Sequence, residues 1–335
     1  MRQRAYRWLV GLAAWTSTLV PTSVHAADCS PANGVSPCLD ANDLWLTTGD
    51  ARLFSLPSGE ALPAGRVGLA IAVQALWRPL RLNVASSNAT GRDISLVSRA
   101  VQQDTVLAIG LGKQLELGLG VPLVLHQTGA GSEGLTSQRG APLDPNGARD
   151  PRVSLAFSVA TGPVKWKPRV TLALPLGDAE AYASAGRVIV APAVPVVFRS
   201  GRFEQALELG LRLTSSIELA SVRMGSQASI GVGTSFEILE KQLLLVGAEA
   251  WLLPSLIDNQ SARARAFDVT TNLLSAEYLF SLRSKPLAGE PWSVALGAGS
   301  SLALSRESSS AGPEYFVAPP GPSLRMLAEV RYAPR

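Results

Sequence analysis

His126 is the one histidine after residue 26, and it lies in a run of regular alternation. Leu115, Leu117, Leu119, Val121, Leu123 and Leu125 share one face, opposite Glu116, Gly118, Gly120, Pro122, Val124 and His126. A hydrolase acting on membrane lipid would turn a Ser/His pair toward the bilayer, because the base must reach the nucleophile. The alternation puts His126 on the opposite face, at a strand end, which reads as a rim or lumen histidine. Cys29 and Cys38 have no histidine nearby, so zinc is not expected. Asp144-Pro-Asn-Gly lacks the remaining ligands of a calcium loop. Gly110-Leu-Gly-Lys113 reads as a strand end and turn, since no helix follows to present its amides to a phosphate. The sequence therefore points to a protein that is not an enzyme, with no catalytic residue, metal or cofactor.

The charges are more informative. Glu116, Arg152, Lys167, Arg169, Glu204, Glu208, Arg212, Glu249, Glu277, Arg283, Arg325, Glu329 and Arg331 fall on faces opposite to leucine, valine and phenylalanine stripes. Strand side chains alternate between two faces, so all of them would point to one side of a sheet. There they could line a wet pore and tune its selectivity, or pair across it and close it. Small neighbours on the same faces, among them Gly118, Gly231, Gly233 and Gly297, leave room and favour a narrow channel.

Such charges need strands to carry them. Alternation begins at Arg66 (Val67, Leu69, Ile71, Val73, Ala75, Trp77) and recurs down to Leu324, Met326, Ala328, Val330 and Tyr332. About twelve strands result, with fourteen as the alternative count. Short turns near 112, 162, 201, 239 and 286 alternate with longer loops near 80–100, 127–150, 178–186, 215–226, 254–268 and 305–321. That asymmetry belongs to a transmembrane antiparallel up-and-down β-barrel, with short periplasmic turns and long extracellular loops. Only a closed sheet or a helix satisfies its backbone in hydrocarbon. Trp77, Trp166, Phe198, Trp292 and Tyr332 lie near strand ends, where aromatic girdles belong. Both chain ends would lie on the periplasmic side.

Composition agrees. Charged residues make up 17% of the chain and mean hydropathy is +0.19, where soluble domains carry about a quarter charged residues. Residues 1–26 read as a cleaved signal peptide: Arg2, Arg4 and Arg7, an apolar stretch from Trp8 to Val20, then Val24-His25-Ala26. Three arginines and no acid leave with it, so the formal charge falls from +4 to +1. No clustered basic patch remains, and nucleic acid is not an expected partner. Residues 27–64 are rich in turn signals and read as an irregular N-terminal periplasmic extension or a segment that tucks into the barrel. Cys29 and Cys38, flanking a Pro/Asn/Gly loop in an exported chain, are expected to form a disulfide. The barrel would occupy residues 65–335.

Trp77-Arg-Pro-Leu80, Lys113-Gln-Leu-Glu-Leu-Gly-Leu-Gly-Val-Pro-Leu-Val-Leu125, Leu172-Ala-Leu-Pro-Leu-Gly-Asp178 and Val330-Arg-Tyr-Ala-Pro-Arg335 carry a resemblance over most of residues 65–335. The chain resembles the N-terminal barrels of some OmpA-family proteins and the transporter-like barrels of the MetA-pathway phenol-degradation type. The resemblance implies a Gram-negative outer-membrane location and transport, and supplies no catalytic residues. No peptidoglycan-binding domain follows Arg335 here, so a cell-wall tether is not expected. The resulting expectation is a monomeric, passive outer-membrane channel for small, apolar solutes. It would sit among outer-membrane lipid and lipopolysaccharide, and the barrel-assembly machinery would recognise its C-terminal strand. A closed structural barrel acting through its long loops is the alternative, and an outer-membrane hydrolase a distant third.

Overall fold

The computed structural model describes residue 29 and residues 36–84, 92–132, 142–219, 222–239, 243–256, 274–285, 290–302, 316–317 and 321–334. Residues 1–26, expected to be a signal peptide, most of the Ser86–Asp93 turn, the loop residues Asn259, Arg263 and Arg265, and nearly all of loop 306–320 lie outside the described residues.

Twelve strands close into one antiparallel barrel. They are β1 (Val67–Val84), β2 (Arg92–Gly110), β3 (Leu115–Thr128), β4 (Arg152–Phe157, continued by Val159–Thr161), β5 (Val164–Trp166 and Arg169–Ala173) and β6 (Ile189–Ser200). The second half comprises β7 (Phe203–Arg212), β8 (Gln227–Leu239), β9 (Leu244–Pro254), β10 (Leu274–Ser284), β11 (Trp292–Ser301) and β12 (Leu324–Tyr332). Each strand pairs with its neighbours in sequence, and β12 closes on β1 with Tyr332 opposite Leu69 and Leu324 opposite Trp77. Gly162 and Gly201, at φ +61° and +56°, allow the two-residue turns after β4 and β6. β1 and β2 run farther than the alternation alone indicates, to Val84 and from Arg92, into the range 80–100 expected to be a loop.

The alternation survives folding. Along β12, Leu324, Met326, Ala328 and Val330 are exposed, while Arg325, Leu327, Glu329 and Arg331 are buried. The outward face carries Val73, Leu119, Leu209, Phe280, Leu296 and Met326, with Phe280 62% exposed. A continuous apolar belt of this extent far exceeds what a soluble monomer shows, and in water it would drive aggregation.

The barrel is not empty. Residues 36–62 run through its interior, where Leu44, Leu46, Leu53, Phe54, Leu56 and Leu62 are buried. The segment enters at the long-loop end, where Leu39 meets Leu76, Leu80, Tyr182, Ile217 and Met224. It descends past Ala70, Ala72, Val106 and Leu327, doubles back through the Thr47 N–H to Phe54 carbonyl bond (2.9 Å), and leaves beneath Glu116 to start β1. The Cys29–Cys38 disulfide therefore sits at the end opposite to that where the sequence reading puts both chain termini. Threading through the lumen is the reason.

Candidate functional site: the occupied lumen

Three tiers of side chains hold this plug. In the tier nearest the long loops, Arg325 forks onto Glu277 (3.0 and 2.8 Å) and donates to Asn42 Oδ1 (3.0 Å) and to Gln74. Asn42 donates to Gln102 (2.6 Å). Arg149 clasps both oxygens of Asp40 (3.1 and 2.8 Å) and donates to the Asn42 carbonyl (2.8 Å). Asp104 lies between Arg149 (3.5 Å) and Arg152 (2.8 Å). Beside them Asp150 accepts from Ser184 Oγ and the amides of Ala185 and Gly177 (2.6, 2.8 and 3.0 Å). Burial still pushes its carboxyl above the ordinary range, against those bonds.

Midway, Glu249 accepts the amides of Phe54 and Ser55 (2.9 Å each) and the Ser55 hydroxyl (2.6 Å). Beside the short turn between β6 and β7, Glu204 takes Arg52 (3.5 Å) from the plug and Arg199 from β6. Arg169 and Glu208 form a two-pronged pair (2.9 and 2.8 Å). Back toward the long-loop end, Arg212 donates to the Asp43 carbonyl (2.9 Å) with its guanidinium 4.3 Å from the Trp45 ring centroid. Arg152 lies 5.2 Å from the same ring.

At the short-turn end, Glu116 joins Lys167 (2.9 Å), the Thr48 hydroxyl (2.9 Å) and the Leu62 amide (3.0 Å). Arg331, forked onto Glu329 (2.9 and 3.0 Å), donates to the Gly49 carbonyl (2.7 Å). Glu329 also binds Arg283 (2.8 Å), which donates to the Arg52 carbonyl (3.2 Å). Burying a charge is costly without a partner, and removing one member of such a pair typically costs about 3–5 kcal/mol. The wall charges are accordingly matched to one another and to the plug backbone.

All thirteen charges singled out from the sequence lie on the inward face. Glu116, Lys167, Glu204, Arg212, Glu249, Arg283, Arg325 and Arg331 bond the plug directly, and Arg152 stacks on its Trp45. Arg169, Glu208, Glu277 and Glu329 bond other wall side chains. The small inward residues do not leave an open path, because they are where the plug lies. Gly231 and Gly233 face Leu56 and Leu53, and Gly297 faces Phe54. A Cβ at Gly297 would come within 2.7 Å of Phe54 Cε2. Gly297→Leu is expected to unseat Phe54 at a cost of about 1–3 kcal/mol, seen as faster tryptic cleavage after Arg52 with the barrel intact.

His126 does not face the lumen. A bulge in β3 breaks the register, so that Val101 pairs with His126 but Gln102 with Val124. Leu125 and His126 are then both exposed, and Gln127 points inward to the carbonyls of Asp144 (2.7 Å) and Ala181 (2.8 Å). A bulge adds one residue to one strand and reverses the alternation beyond it. Arg149, Asp104, Gln74 and Gln102 are site residues that the alternation reading missed. The three on β1 and β2 occupy inward phases and were legible as such; Arg149 sits in a loop, which has no phase. Among the described residues no three His, Cys, Asp or Glu side chains gather as a metal site.

No family model matches this sequence, and no curated protein matches it. Solved structures do. The crystal structure of the COG4313 outer membrane channel from Pseudomonas putida F1 superposes with TM-score 0.55 at 13% identity, covering 82% of this chain and 97% of that one. The fold is that of an outer-membrane β-barrel. The NanC porin (TM-score 0.46, 6% identity, 80% of this chain and 99% of that one) and the KdgM porin (0.42, 8%, 79% and 99%) are more distant.

Proposed function

We propose that this chain is an outer-membrane channel for small solutes, held shut at rest by its own N-terminal segment. The observation that carries this reading is that the polar, charged wall of the lumen is engaged by residues 36–62. A barrel whose only task is to sit in the membrane has no need of a polar interior. The apolar belt and the signal-like N-terminus support the outer membrane as its location, with lipid and lipopolysaccharide against the belt. The amphipathic β12, ending near Tyr332, is suited to recognition by the assembly machinery. The resemblance to MetA-pathway-type barrels points to an apolar solute, and the closed, self-sufficient sheet to a monomer.

The matched pairing of the plug also favours a second reading, a permanently closed barrel acting through its long loops. Planar-bilayer recording on the purified full chain separates the two. The channel reading expects brief, infrequent openings that become more frequent with voltage. Complete silence at every voltage would leave only the closed barrel.

A further inference from the structure

A cavity of about 70 Å³ lies at the long-loop end of the lumen, between the plug and the wall of β4 to β8, and Arg152, Arg187 and Arg212 border it. One water needs roughly 10–15 Å³ of such volume, so several waters or one small polyatomic ion fit. The donors around it are in surplus. Arg152 is 7% exposed, and its Nη1 has no partner although Nη2 is held by Asp104 (2.8 Å). Arg187 Nε and Nη1 are buried and unpartnered too. Burial alone pushes the Arg187 guanidinium down to about 10.

The acids on the cavity wall are engaged elsewhere. Asp40 is clasped by Arg149, and Asp150 is filled by its three donors. Asp43 has one oxygen 3.7 Å from Arg212 Nη1 and leaves Oδ2 unpartnered. One free acceptor thus stands against three free arginine donors from two chain segments. A buried guanidinium N–H without an acceptor is expensive, and its fork matches the oxygens of a carboxylate or phosphate. Gly186, next to Arg187 in the chain, sits against both sulfurs of the disulfide.

We infer that this cavity is a binding site for a small oxyanion, a carboxylate or phosphate group taken by the free N–H groups of Arg187. The site is formed whether or not the barrel conducts. Calorimetric titration of the folded full chain in neutral detergent, with inorganic phosphate and with acetate against sodium chloride at equal ionic strength, tests it. Saturable, one-to-one binding of at least one oxyanion is expected. Arg187→Met should weaken it about ten- to a hundredfold, the contribution of a charge-assisted bond, and Arg187→Lys should fall between. Heat-modifiable migration checks that each variant is folded. If Arg187→Met does not fold, Arg187→Lys decides alone, with weakened binding expected. Failure of both oxyanions to exceed chloride, or binding unchanged in the folded variants, would overturn the site.

Discussion

Deleting residues 36–62 should convert a nearly silent barrel into an open one, with conductance roughly an order of magnitude above that of the intact chain. Barrel diameter grows with strand number, and eight strands already enclose a core filled by side chains alone. Twelve leave a lumen that this chain fills with Leu44, Leu53, Phe54, Leu56 and Leu62. The wall does not depend on the plug for closure, because the backbone ladder runs unbroken from β1 to β12 and back. The charges left behind, Glu116, Glu249, Arg325 and Arg331 among them, would be hydrated rather than stranded. The deletion should therefore still fold and insert. Bilayer recording reads the conductance, and heat-modifiable migration reports the fold.

The second large effect is expected at Glu249. Its carboxylate receives two consecutive plug amides and a hydroxyl, in a fully enclosed position. Glu249→Ala removes a charged acceptor from three donors at once and leaves the amides of Phe54 and Ser55 without a partner. The loss should be about 3–5 kcal/mol of plug seating. Since 1.4 kcal/mol is a factor of ten, the unseated population should rise at least about a hundredfold. Hydrogen exchange at Phe54 and Ser55 would show it, as would a matching rise in channel opening. Glu249→Gln keeps one neutral acceptor and should lie between. Exchange at Phe54 indistinguishable from the parent chain would mean that the clamp does not hold the plug.

The barrel was legible because alternation is a local property, written along each strand independently. The inward charges followed from the same phase, down to Arg325, Glu329 and Arg331 on β12. The plug was not legible in this way. Residues 36–62 have no period of their own, and partners far away in sequence order them: Glu249 lies 195 residues from Phe54 and Arg331 282 from Gly49. Glycines at inward positions are ambiguous for the same reason. Gly297 reads as open space until Phe54 is known to occupy it. His126 shows the other limit, since a single bulge inverts the face of every residue beyond it, and nothing in Val124-Leu-His-Gln127 announces one.

If the plug gates the barrel, fixing it to the wall must abolish conduction reversibly. Thr48 and Gly118 offer the place, because a Cβ at Gly118 would lie 3.2 Å from Thr48 Cβ, near the roughly 3.5–4.5 Å that a disulfide spans. The variant Thr48→Cys/Gly118→Cys, with Ser154→Ala to make room and both native cysteines replaced by serine, should give no openings in planar bilayers when oxidised. Adding reductant during the same recording should restore the openings of the unlocked protein. Equal conductance before and after reduction, with the cross-link verified by mass, would contradict a gating plug.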